Sequence, residues 1–386
     1  MSLATWVEKA RQLGASDLHL ETDMPPVVRV RGELRALADA LPAARLEEIL
    51  RGVNTATRTA LATRGSADLS MWVSGVRCRI NIYRTSRGTA LAARLLSPAM
   101  GGLRAANLHP SLRRLAEARA GLVLVAGPSG SGKSTTLGAL VEEVNASQAR
   151  HIITLESPLE QIFGHGHSFI RQREIPTHSP SFEQALSDAL SENPDIVVIS
   201  QIRTPEVMRL ALEAADTGHL VLAALHSASC AEALGRICKA FPLDAQEAIR
   251  TQLADCLTGV VCQRLDYLEK QQLLVPRCEV LTASTAATNM IRAGHLGQLA
   301  GVIQAGGDDG MWSFERYQRW MEQKQDWLPP PVPAQVREER ALSLATTEVR
   351  PRAGFASTEE VSERTIEILV ELDEEFDLPP LVPPKN

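Results

Sequence analysis

The sequence predicts an α/β fold, a parallel sheet with helices packed on it, preceded by a smaller α+β region. Two patterns carry the prediction. Residues 122 to 126 form a continuous apolar run, as a strand buried on both faces requires, and Leu137, Leu140, Val141 and Val144 then recur at helical spacing. Further strand-like runs at 151 to 155, 196 to 200 and 220 to 225 alternate with helical stretches at 182 to 192 and 205 to 216, the rhythm of a parallel sheet with crossover helices.

Between the first of these strands and its helix lies GPSGSGKST, residues 127 to 135, which satisfies G-x-x-x-x-G-K-[ST]. In that pattern Gly127, Gly130 and Gly132, with Ser129 and Ser131 between them, let backbone N–H groups close round phosphates. Lys133 reaches the outer phosphates, Ser134 is the metal ligand, and Thr135 continues into the positive end of the helix. Strand, loop and helix stand in the order the motif demands, so a nucleotide with Mg²⁺ is the expected ligand.

The first hundred residues mix a helix at 2 to 14, strands at 15 to 21, 27 to 37, 67 to 73, 76 to 84 and 89 to 96, and helices near 43 to 53 and 57 to 63. Residues 98 to 102 break this pattern. The expected domains are therefore 1–101, 102–328 and a tail, 329–386. Helical patterns dominate again at 243 to 261 and 283 to 321, and a capping box at Ser181 and Gln184 opens one of the crossover helices. In open parallel sheets ligands sit at the carboxyl ends of the strands, which nominates Glu156, Glu160, Gln201, Arg203 and His226. Asp195 lies at the wrong end of its strand to join them.

Composition narrows the function. A net charge of −6 and a pI near 5.9 speak against a nucleic-acid surface, which needs a basic excess. From Pro329 onward there are 12 acidic and 6 basic residues, so the tail carries the whole excess and the body is balanced. The six cysteines (Cys78, Cys230, Cys238, Cys256, Cys262 and Cys278) show neither paired spacing nor a zinc pattern, and reduced, buried thiols are expected. The N-terminus lacks the apolar core of a signal peptide, and the longest apolar runs fall far short of a membrane span. A cytoplasmic protein without direct membrane insertion is expected, touching the membrane only through partners.

Taken together, GASDLHL (14 to 20), RCRINIYRTSRG (77 to 88), GPSGSGKSTT (127 to 136), HIITLESPLE (151 to 160), NPDIVVISQIR (193 to 203), TGHLVLAALHS (217 to 227) and the Gln-Arg-Leu of 263 to 265 resemble the secretion-ATPase superfamily. Within it they resemble the PilT/PilU branch of type IV pilus retraction ATPases. The resemblance covers residues 1 to about 321. It implies a PAS-like N-terminal domain, a RecA-like core and a homo-hexamer with nucleotide sites closed between subunits. Its partners would be a paralogous PilT-type ATPase and the inner-membrane pilus platform, with the protein peripheral to that membrane. It further implies that Arg77, Arg79, Arg87 and Arg94 reach the phosphates, that Glu160 is a base for the attacking water, and that His226 senses the γ-phosphate. On charge alone, arginines on strands and a glutamate at a loop edge are solvated. The role of His219 stays open between the core and the site.

Departures from the family pattern matter as much. Where the family has Ile-Glu-Asp-Pro-Ile-Glu, this chain has Leu155 to Glu160 reading LESPLE; where the family has Gly-Glu-Met-Arg-Asp, it has Ser200 to Thr204 reading SQIRT. Both stretches lose a carboxylate, and family arginines are absent at Ser191 and Thr288. Gln201 has the direct consequence: an amide positions water but carries no charge and takes no proton, so slowed hydrolysis is expected. A motor with weak turnover and an accessory subunit working beside a complete ATPase both fit. In the proline-rich tail, Ile366, Leu369, Val370 and Leu372 mark an acidic amphipathic helix that is either a solvated appendage or a docking segment.

Overall fold

Two sheets organise the chain, seen in a computed structural model that describes residues 2–30, 32–37, 41–50, 53, 55–96 and 101–329. The tail reading falls on residues outside that set. Both sheets belong to one unit, Met1–Gln335.

The first sheet comprises β1 (Asp17–Glu21), β2 (Val27–Val30), β3 (Glu33–Ala36), β4 (Ser66–Val73), β5 (Val76–Thr85) and β6 (Gly88–Leu95), in the order β3-β2-β1-β6-β5-β4. All neighbours are antiparallel. In β5 the pleat sends Val76, Cys78, Ile80 and Ile82 into a core shared with Trp6, Val7 and Ala10 of the helix Leu3–Gln12. The same alternation puts Arg77 and Arg79 on the opposite face. The run at 27 to 37, expected as one strand, is a hairpin turning at Gly32, whose φ of 87° a side chain would resist.

The second sheet comprises β7 (Gly121–Ala126), β8 (His151–Glu156), β9 (Phe169–Glu174), β10 (Ile196–Ile199), β11 (Leu220–Leu225), β12 (Leu257–Leu268) and β13 (Leu273–Thr282). Their order is β13-β12-β7-β11-β10-β8-β9, parallel throughout except for β13. Strands β7, β10 and β11 are buried along their whole length, because apolar clusters cover both faces of the sheet. The helices Phe182–Leu190 and Pro205–Asp216 start where Ser181 and Thr204 cap them through their side chains.

Two expectations change. The helical stretch at 243 to 261 is helical only over Gln246–Cys256 and then becomes β12, whose Val260, Val261 and Cys262 complete the buried sheet. Strand β9 escaped notice because FIRQRE is a half-buried edge with no apolar alternation. All six cysteines are free and buried, and burial pushes the thiols of Cys78, Cys256, Cys262 and Cys278 up to about 12. Among the described residues, no helix is long and apolar enough to cross a membrane.

Candidate functional site

At the carboxyl ends of β7, β8, β10 and β11 opens a cavity of about 610 Å³. Its floor is the loop between β7 and the helix Lys133–Asn145, and Ser129, Gly130, Gly132, Lys133, Ser134 and Thr135 all line it. Gly130 and Gly132 have φ of 75° and 87°, and Gly132 caps the helix with no side-chain hydrogen bond, leaving first-turn N–H groups for a ligand. Gly127 and Ser131 lie beneath this surface. A Cβ on Gly127 would meet the Ser131 Oγ at 2.4 Å and the Gln263 carbonyl at 2.5 Å, so only glycine fits. Lys133 folds back on the loop, donating to the carbonyls of Gly127 (3.0 Å) and Pro128 (2.7 Å). Burial holds its ammonium below the ordinary lysine value.

Both glutamates past β8 line the cavity, in different settings. The Glu156 carboxyl accepts from Thr154 Oγ1 at 2.6 Å and from Gln172 Nε2 at 3.2 Å. Burial outweighs these bonds and pushes it up to about 7. Glu160 instead faces Arg79 at 3.7 Å. Gln172 also accepts from the Phe163 N–H and donates to the Gln161 carbonyl, tying the loop that carries Glu160 to β9.

Beyond β10, Arg203 donates to Gln201 Oε1 at 2.6 Å, and both residues line the cavity. His226 lines it beyond β11. Burial, then the nearby Lys133 charge, lowers its imidazole below the ordinary value, favouring the neutral form. His219 stands at the other end of β11, its Nδ1 3.1 Å from the Ala214 carbonyl, and takes no part in the cavity. Asp195 is likewise remote, accepting from the His151 N–H at 2.8 Å.

The four arginines separate. Arg79 and Arg94 pair in register on β5 and β6, and both line the cavity. Arg77 donates to the Leu159 carbonyl at 3.3 Å, bracing the Glu160 loop rather than lining the cavity. Arg87 is exposed in the turn between β5 and β6 and lies away from it. Sequence reasoning placed Glu156 only among the strand-end candidates and gave Gln263 no role. The signal for Glu156 was present, a carboxylate ending a strand whose Ile152, Ile153 and Leu155 are apolar; for Gln263 it was an amide inside a run of buried residues.

Comparison with known proteins agrees with this geometry. The family model described as "Type II/IV secretion system protein" matches residues 2–298. The chain is 36% identical over 296 residues to the "Twitching motility protein" of Neisseria gonorrhoeae, covering 75% of this chain and 79% of that one. It is 34% identical to the type IV pilus retraction ATPase PilT of Pseudomonas aeruginosa, covering 78% and 88% of the two chains. The solved structure of the pilus retraction motor PilT with bound ADP superimposes with a TM-score of 0.75 at 32% identity, over 84% of this chain and 98% of that one. A glycine-rich loop at the mouth of a parallel sheet, faced by arginines from an antiparallel one, thus comes with matching sequence along most of the chain, which belongs to the type II/IV secretion system protein family, among the PilT-like pilus retraction ATPases.

Proposed function

We propose that this chain binds Mg²⁺-ATP in the cavity and works in type IV pilus retraction as a subunit of a homo-hexamer, with turnover slowed by Gln201. One observation carries the reading: the loop, Glu156, Glu160, Gln201, His226 and the pair Arg79 and Arg94 converge on one cavity. Ser134 and the Glu156 carboxyl present the hard oxygen donors that suit Mg²⁺, which when bound neutralises charge on the outer phosphates. Lys133 leaves the loop carbonyls to meet those phosphates. Arg79 turns to them as well, which frees Glu160 to take the proton of the attacking water. Neutral His226 donates a hydrogen bond toward the outermost phosphate. The amide of Gln201, held by Arg203, orients water without accepting its proton.

On this reading the protein sits in the cytoplasm, peripheral to the inner membrane, against the pilus platform protein. The accessory reading also has a specific observation in its favour, the amide at Gln201, and would pair this chain with a complete PilT-type ATPase; PilU of Pseudomonas aeruginosa, 30% identical, is a further relative. Steady-state phosphate release from the purified protein separates the two. Turnover that Lys133→Ala abolishes supports the motor. Silence alone, relieved by Gln201→Glu, supports the accessory subunit.

A further inference from the structure

Beneath the phosphate loop lies Gln263, a fully buried side chain on β12 that does not line the cavity. Its Nε2 donates to the Ser131 carbonyl at 2.6 Å, while its Oε1 has no partner. A Cβ on Gly132 would stand 3.1 Å from that Nε2, and one on Gly127 2.5 Å from the Gln263 carbonyl. The loop glycines therefore admit β12 from below as well as a ligand from above. Burying an amide with half its polar atoms unpaired is costly, and a leucine would fill the site without that cost.

We infer that Gln263 is a positioning residue for the phosphate loop: by holding the Ser131 carbonyl toward the sheet, it turns the N–H of Gly132 into the cavity. The reason is peptide planarity. The Ser131 carbonyl and the Gly132 N–H belong to one trans unit and point in opposite directions, so fixing one aims the other. An N–H aimed before the ligand arrives needs no reorganisation on binding. The register Gln263 to Cys278 locks the side chain's origin in the sheet. This assignment rests on the nucleotide reading above and deepens it.

The test is Mg²⁺-ADP and Mg²⁺-ATP titration of the full-length protein and two variants, with folding checked by circular dichroism. Gln263→Leu keeps the volume and removes the donor: affinity for ADP and ATP falls together by about tenfold, and KM rises while kcat holds. Gln263→Glu is nearly isosteric. Its carboxyl donates to the Ser131 carbonyl when protonated and repels it when ionised, and burial raises such an acid toward neutrality. Relative to the parent at each pH, its ADP affinity is close at about pH 6 and falls to the leucine level at about pH 8.5. The titratable groups on this side are Lys133 on the loop, carried equally by the parent, and Cys262, Cys278 and Tyr317, which burial keeps neutral. A folded leucine variant with parental ADP affinity, or a glutamate variant that tracks the parent at every pH, overturns the assignment. A parent that takes up no ADP removes the nucleotide reading and this assignment with it.

Discussion

The guanidinium of Arg203 donates to the amide oxygen of Gln201 at 2.6 Å, at the edge of the cavity beyond the strand ends. The bond fixes which way the amide faces, with its oxygen on the arginine. A carboxylate at this position would keep the bond, as a charge-assisted pair, and add an oxygen for water. Gln201→Glu is therefore expected to raise phosphate release by about tenfold, less than the roughly hundredfold or more of a full general base, because on the proposed reading Glu160 takes the water's proton. A rate within twofold of the parent would show that the amide does not limit turnover.

Glu156 gives a pH signature. Burial raises its pKa from 4.5 in the unfolded chain to about 7 in the fold, so the folded state holds the proton more tightly. The resulting stability is full below pH 4.5 and is lost as pH rises through about 7. Glu156→Gln removes this dependence. In the nucleotide-free protein the variant should melt higher than the parent at pH 8, with the gap closing toward pH 5; parallel melting curves at both values would contradict the assignment.

Placement divides the arginines. Arg79 and Arg94 line the cavity and Arg87 does not. Arg79→Ala and Arg94→Ala are expected to weaken nucleotide binding by about ten- to a hundredfold each, as for a lost hydrogen bond to a charged group, with Arg87→Ala unchanged. Fluorescent ADP titrations measure this, and equal losses at all three positions would speak for a general charge effect.

Outside the cavity lining, Tyr317 Oη accepts from the His109 N–H at 2.9 Å, and the tyrosine is fully buried between Trp312 and Trp320. Burial also drives the His109 imidazole down to about 4, so it is neutral at working pH. Tyr317→Phe leaves the half-buried His109 N–H without its acceptor and should cost about 1 kcal/mol, read as a lower melting temperature with nucleotide affinity intact.

Much of this architecture was legible because its signals are local. The apolar run before Gly127, the helical spacing after Lys133 and the cap at Ser181 each follow from neighbours in sequence. What stayed hidden is set by distant contacts. Strand β9 is polar because it is an edge, and β12 reads as helix until β7 pairs with it. The raised Glu156 and the buried Gln263 amide depend on walls contributed by other strands. The separation of Arg79 from Arg87 needed the sheet's fold, since β5 carries one into the cavity and its turn takes the other away.

Uptake of ADP with Mg²⁺ by the folded parent and by Lys133→Ala, followed by calorimetry, tests the proposed nucleotide site most directly. Saturable binding by the parent, lost or weakened by about two orders of magnitude when the ammonium that now rests on Gly127 and Pro128 is removed, is the expected result. A well-folded parent that takes up no nucleotide, or an alanine variant that binds as tightly, would contradict it.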